Sequence, residues 1–502
     1  MHSAKMTRLD LTITIIIIVS SFISFILVSC YNNSQELAFL FLLPLVFILC
    51  SLILCFERKI FYHSITGLVV LFVYYVRLVL APMIMVFGNY HSVIPLSQYS
   101  SFVNPAIVLI CLESLFVFFA LPRLGRKNEK NDFKKNILHL HYHDFVLIKK
   151  KHNYLLWGVV VLMIGYVVWL IKSDSTIWDA NFLLLIDSNK GYYALSSSKS
   201  GIGTLSMFVE IMNSMFKILQ VLLPAMLLCL LVSVKLPNVL KLFLSFGIFV
   251  IVSVIATEDR IDAIFAGIAF LLTARDAFGT KFKNHFVAWL FGLLLVCIAG
   301  LSIKAGVFGI NKNGSTSLLE SVSSMLCAYF SGVPTVAYGL SFVSEIGFMK
   351  LWYIPIDIIE RIPFASYALK LFFNINLISS NALFNEYIFG TLNENYGQIL
   401  PTTIVGIEYF SMLLSPIVPY VLIKMSFHFE RKGLLAQDLT RKNLYYWICV
   451  CVSSSLVIAS SLLVVAKMSW FVIILLILKI FGRNDFTLNK SFYKRGVVTY
   501  ER

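Results

Sequence analysis

The chain has 502 residues, 59% of them hydrophobic and 13% charged, with a formal net charge of +15. Soluble domains are about a quarter charged, and apolar runs of about twenty residues recur here from end to end, which excludes a soluble protein. The runs are continuous and do not alternate, which selects helices over a barrel, and the positions of the basic residues make the positive charge a topology signal, not a nucleic-acid footprint.

The composition predicts an all-α polytopic membrane protein. Spans are expected at about 11–30, 37–55, 64–87, 105–121, 154–171, 206–233, 238–257, 262–274, 286–308, 401–424, 444–466 and 468–481. The first lacks a small-residue cleavage site and is longer than a signal core, so it is read as a retained helix.

The third span holds Arg77 and the fourth Glu113. The sixth holds Glu210 and Lys217, seven apart and so on one helix face. Charges at this depth face a bundle interior or a wet cavity. Two readings are open: a polar cavity for an anionic headgroup, or structural pairs of Arg77 with Glu113 and Lys217 with Glu210. Arg77 is the leading functional candidate of the four, because a guanidinium fork grips phosphate bidentately.

Glu258-Asp259-Arg260-Ile261-Asp262 separates the seventh and eighth spans, unless these form one hairpin. Asp259 or Asp262 could cap the eighth helix. Alternatively, Arg260 meets a diphosphate at the membrane surface with Glu258 or Asp259 beside it. Lys304, at the outer end of the ninth span, either snorkels or joins Arg260 in a basic rim.

Twelve spans put both termini on one side. Lysine and arginine gather there, in the loop 123–153, the shorter loops and the tail 482–502, so that side is cytoplasmic. The loop 123–153 is polar and basic and is expected to be partly disordered. A medium loop, 172–204, and a large one, 309–400, are then external. The whole chain, 1–502, reads as one integral membrane domain without a fixed repeat. Leu351-Trp352-Tyr353-Ile354-Pro355 and Leu369-Lys370-Leu371-Phe372-Phe373 predict short amphipathic helices lying on the membrane face. Arg361 is expected to pair with Glu360 or Asp357.

The nine cysteines form no metal-ligand spacing and read as small buried hydrophobes. Alternating His139, His141 and His143 would share a face only in a strand, so no metal site is expected there. Neither a nucleotide fingerprint nor a hydrolase motif is present, and no cofactor is expected.

The large loop ends in Asn393-Glu394-Asn395-Tyr396-Gly397-Gln398-Ile399-Leu400-Pro401-Thr402-Thr403. Proline suits a first helical turn, and the free N–H groups of a helix start bind anions. Asn395, Gln398, Thr402 and Tyr409 supply amides, a hydroxyl and a ring that suit a sugar. Glu408 lies two turns into the same helix. An ordinary capped helix start is the plainer reading.

Gly397-Gln-x-x-Pro401-Thr, followed by Gly406 and Tyr409-Phe410, resembles the late motif of the bacterial O-antigen polymerases (Wzy-type, oligosaccharide repeat unit polymerases). Tyr329-Phe330-Ser331-Gly332-Val333-Pro334 resembles the aromatic-Gly-Pro tract that precedes it in their large external loop. The resemblance implies a metal-independent glycosyltransferase of type C architecture in the bacterial inner membrane, with periplasmic loops at 172–204 and 309–400. Its substrate would be an undecaprenyl-diphosphate-linked oligosaccharide, and its partners membrane lipids and a chain-length regulator, with no nucleic acid. Such chemistry needs cations on the diphosphate, for which Arg77, Arg260 and Lys304 are candidates, and a base, for which Glu258, Asp259 and Glu408 are candidates. Alternatives are an O-antigen ligase, a lipid-linked oligosaccharide flippase or other secondary transporter, and a non-enzymatic assembly partner.

Overall fold

The computed structural model describes residues 8–32, 34–88, 96–133, 204–232, 234–256, 260–278, 318–347, 350–362, 377–390, 399–436, 438–458 and 461–482, with scattered positions in 161–172 and 365–373. Every regular element among them is helical. In chain order they are α1 (Arg8–Tyr31), α2 (Leu42–Phe56), α3 (Arg58–His63), α4 (Ile65–Tyr75), α5 (Ala81–Phe87), α6 (Ser100–Phe133), α7 (Thr204–Val232), α8 (Asn238–Ala256) and α9 (Arg260–Phe278). There follow α10 (Leu318–Tyr329), α11 (Val333–Ile346), α12 (Tyr353–Arg361), α13 (Ser380–Phe389), α14 (Thr402–Phe410), α15 (Ile417–Leu435), α16 (Leu439–Ser454) and α17 (Ser461–Gly482). A π-helical turn, Val76–Leu80, joins α4 to α5 without a break, and a 3-10 turn, Leu96–Tyr99, leads into α6.

This is an all-α membrane protein, but the described residues do not hold twelve spans. Four helical stretches are long and apolar enough to cross a bilayer: Leu11–Tyr31, Ile65–Phe87, Leu96–Arg126 and Met215–Val232. A fifth counts if the pair Val322–Tyr329 and Val333–Ile346, bent by 49°, is one broken span. The physical reasons for the shortfall are local. The expected span 401–424 is cut after α14, where Ser411 adopts a left-handed backbone (φ 83°) and a turn precedes α15. The expected span 37–55 opens with turns and becomes helical only at Leu42. Much of 154–171 and all of 286–308 lie outside the described residues.

The helix ends follow from their residues. Ser64 caps α4 by accepting from Gly67 N at 2.8 Å, and Asp438 caps α16 by accepting from Thr440 and Arg441 N. Ser379 caps α13, whose other end closes on Gly390 in the left-handed conformation. At the start of α4, Glu430 reaches across from α15 and accepts from Ile65 N at 2.6 Å and Thr66 N at 3.2 Å, placing a carboxylate on the positive end of the helix.

The core centres on α16, nearly all of whose residues are buried. It packs on α15, α9, α7, α4 and α17, while α6 packs on α2, α11 and α15. The segment 318–346, expected in an external loop, forms α10 and α11, and α11 is buried against α6 and α14. The loop 123–153 begins as helix: α6 runs on through Pro122 to Phe133.

Candidate functional site

The third span does not run as a plain α-helix past Arg77. The π-turn Val76–Leu80 places Arg77 in the interior, 1% exposed. Such turns are frequent at functional positions. The expected pairing is present: Arg77 Nη1 lies 3.1 Å from Glu113 Oε1. Tyr74 donates to the same carboxylate oxygen at 2.5 Å, and Thr403 donates to the other. Arg77 Nε donates to the Ser331 carbonyl at 3.0 Å. Its Nη2 is buried and has no partner among the described residues.

Ser331 is held by its own backbone. It ends α10 with φ 45°, the left-handed position usually given to glycine, and Gly332 N bonds Cys327 O at 2.8 Å. A Cβ on Gly332 would come within 2.9 Å of the Cys327 Cα, so glycine is needed there for the close approach. The Ser331 hydroxyl donates to Val457 O at 2.8 Å, and Thr402 donates to Ser455 O at 2.6 Å. The end of α10, the starts of α11 and α14, and the turn after α16 therefore meet around Arg77. Neither α11 nor α14 has a side-chain cap on its first turn.

A second buried group lies further along α14. Asp357, on α12, accepts from Ser380 N through Oδ1 at 2.7 Å and from Tyr409 OH through Oδ2. The Ser380 hydroxyl stands 2.7 Å from Asp357 Oδ2 and 2.9 Å from Glu408 Oε1. Asp357 and Glu408 are both fully buried, and Glu408 Oε2 has no partner among the described residues. Of the two partners expected for Arg361, the structure gives Glu360, at 3.7 Å, while Asp357 belongs to this cluster.

A third group joins α7, α9, α16 and α17. Lys467 is hydrogen-bonded to Asp262, both buried, and they line a small cleft with Lys217, Gln220, Trp447 and Trp470. Asp262 lies in the first turn of α9 and is engaged in this ion pair. Near the other end of α9, Asp276 accepts from Lys442 at 3.1 Å and from Tyr446 at 2.5 Å.

Of the residues singled out from sequence, Arg77, Thr402, Glu408 and Tyr409 are placed in or beside the first two groups. The side chains of Arg260 and Glu210 lie outside the described residues. So do Glu258, Asp259, Lys304, Asn395, Gln398, the His139 to His143 run, most of 172–204 and nearly all of the tail 482–502. Sequence reasoning gave no role to Ser380 or Lys467, and it offered Asp357 only as one of two alternative partners for Arg361. The one available signal was a polar residue on an otherwise apolar helix face. Among the described residues, no cluster of three or more histidine, cysteine or acidic side chains could hold a metal ion.

Compared with family models, curated proteins and solved structures, the chain matches none.

Proposed function

We propose that the chain is a polymerase that joins undecaprenyl-diphosphate-linked oligosaccharide repeats at the periplasmic face of the bacterial inner membrane. One observation carries this reading. The two segments that resemble the O-antigen polymerases, 329–334 and 397–410, are distant in sequence, and one described residue of each meets the Arg77–Glu113 pair. Ser331 of the first accepts from Arg77 Nε, and Thr403 of the second holds Glu113, the Arg77 partner. Among the described residues Arg77 keeps Nη2 without a partner beside two helix starts that lack side-chain caps. That combination suits an oxyanion such as a diphosphate.

In the reaction, an acceptor hydroxyl oxygen attacks the anomeric carbon of the donor. The carbon–oxygen bond to the diphosphate breaks, and the diphosphate leaves with the electron pair. Arg77 stabilises that charge, joined by Arg260 and Lys304 if they line the same rim. The hydroxyl proton passes to a carboxylate. In the same reading both termini are cytoplasmic, 172–204 and 309–400 face the periplasm, and the bent pair α10–α11 enters the membrane from that side and returns. Reporter fusions in 309–400 then behave as periplasmic.

The test is the surface glycan of a deletion strain. A polymerase leaves single repeats in place of a ladder, whereas a ligase leaves long chains unattached. An unchanged ladder overturns the reading.

A lipid-linked oligosaccharide flippase is the second reading, and a specific observation favours it. The break between α10 and α11 and the π-turn at Arg77 sit beside buried charges, as discontinuous helices do in transporters. Its deletion would trap complete repeats on the cytoplasmic side.

A further inference from the structure

The Asp357–Glu408 group lacks one hydrogen if both carboxyls are ionised. Ser380 Oγ contacts Asp357 Oδ2 at 2.7 Å and Glu408 Oε1 at 2.9 Å, yet a serine hydroxyl carries a single hydrogen. It can donate to one carboxyl, and the other must donate to it. Asp357 already accepts from Ser380 N and from Tyr409 OH. That makes Asp357 the carboxylate. Among the described residues Glu408 has no other donor, and its Oε2 is buried without a partner, a position that an ionised carboxylate would occupy only at a large cost in desolvation.

We propose that the Asp357–Glu408 pair is a binding site for one exchangeable proton, carried on Glu408, and that this proton joins α12, α13 and α14. Ser380 belongs to α13, Asp357 to α12, and Glu408 and Tyr409 to α14. Without the proton, two like charges would share one hydroxyl in a dry interior.

The titratable and charged groups facing Glu408 are Asp357 and Tyr353 from α12, Tyr409 beside it, and Lys350, whose backbone N donates to Glu408 O at 2.9 Å. Lys350 Nζ stands over the Tyr353 ring, 5.5 Å from its centre. The helices α11 and α15, which also pack on α14, send no charged group to Glu408 among the described residues. Helix α14 has 9 residues, too short to cross a membrane, and lies outside the candidate spans. Burial, opposed by the Ser380 hydrogen bond and the Lys350 charge and reinforced by the Asp357 charge, pushes the Glu408 carboxyl up to about 7.

The sign of the effect on stability follows. An unfolded glutamate is ionised above pH about 4.3. Between that pH and about 7 the folded chain holds one proton more than the unfolded chain, so stability falls as the pH rises through this range and then levels off.

The experiment is thermal unfolding of the purified full-length protein across this pH range, together with infrared difference spectra of the carboxyl band after isotopic labelling of glutamate. We expect the Tm of the parent to fall by several degrees from about pH 5 to about pH 8. Glu408→Gln, which keeps a neutral donor, should remove most of that fall and also remove a glutamate-sensitive protonated-carboxyl band. If Glu408→Gln follows the parent curve, the proposal fails. If the substitution prevents folding, the parent spectrum decides alone: no protonated glutamate band at pH about 6 overturns the proposal. A rise in Tm on adding sodium at fixed pH, abolished by Glu408→Gln, would also overturn it, because the site would then hold a metal cation and not a proton. None of these readouts depends on the proposed polymerase activity.

Discussion

The two buried polar groups solve the same problem in opposite ways. Around Arg77 a carboxylate meets a guanidinium, and the hydroxyls of Tyr74 and Thr403 complete the carboxylate. Around Asp357 a carboxyl meets a second carboxyl, and a hydroxyl stands between them. The first group balances its charge from within. The second balances only with a proton from outside. The first is therefore intolerant of losing either partner, whereas the second tolerates a neutral replacement at Glu408 and responds to pH.

Substitutions at Arg77 test that contrast most severely. Arg77→Met or Glu113→Leu each leaves a buried charge alone, and each is expected to destabilise by about 3–5 kcal/mol. The double variant should lose much less than the sum. Denaturant unfolding in detergent micelles measures this coupling, and simple additivity would break the account of a self-balanced pair. In the second group, Asp357→Ala strips the Ser380 N–H and the Tyr409 hydroxyl of their acceptor, at about 1–3 kcal/mol for each orphaned group. Its measured loss should exceed that of Glu408→Gln in the same assay.

Packing sharpens the comparison at the junction of the two groups, because α14 carries both Thr403 and Glu408. Gly406 lies between them, and a Cβ there would meet the Ser415 backbone oxygen at 2.7 Å. Backbone cannot step aside cheaply, so Gly406→Ala should cost about 1–3 kcal/mol and disturb both groups together. A loss confined to the pH-dependent part of the unfolding curve would show that α14 does not couple them. The smallest effect belongs to the exposed pair of Arg126 with Glu57, where Arg126→Ala should change stability by less than about 1 kcal/mol. A larger loss there would mean that exposed pairs matter as much as buried ones in this chain.

How much of this was legible in the sequence depended on which solvent surrounds each element. Arg77 and Glu113 stood out because a charge inside an apolar run has few explanations, and their pairing was one of the two readings. Asp357 did not stand out. Helix α12 exposes Ile358 and Ile359 and, with the turn before it, Leu351 and Trp352, while it buries the aspartate. That pattern is inverted from a water-soluble helix, and from a single sequence the side of an amphipathic helix that faces protein cannot be told from the side that faces lipid. The helical class was legible from continuous apolar runs. The break in the expected span 401–424 was not, because Ser411 ends α14, as Ser331 follows α10, with a positive φ that serines seldom adopt and that composition does not announce. For the same reason 318–346 read as loop, although α11 is core.

The π-turn at Val76–Leu80 carries a consequence for any aligned relative. Such a turn accommodates one residue more than the surrounding α-helix, and each residue advances an α-helix by about 100°. Deleting one residue within 76–80 would let the stretch revert to regular helix and swing one flank by roughly that angle relative to the other. Either Tyr74 would leave Glu113, or the face of α5 that packs on α10 would turn away. A lineage that gains or loses a single codon here thus changes which side chains look inward along half a span, with every other residue conserved. Across such a gap, identity in the flanking sequence would not carry over the orientation of Arg77.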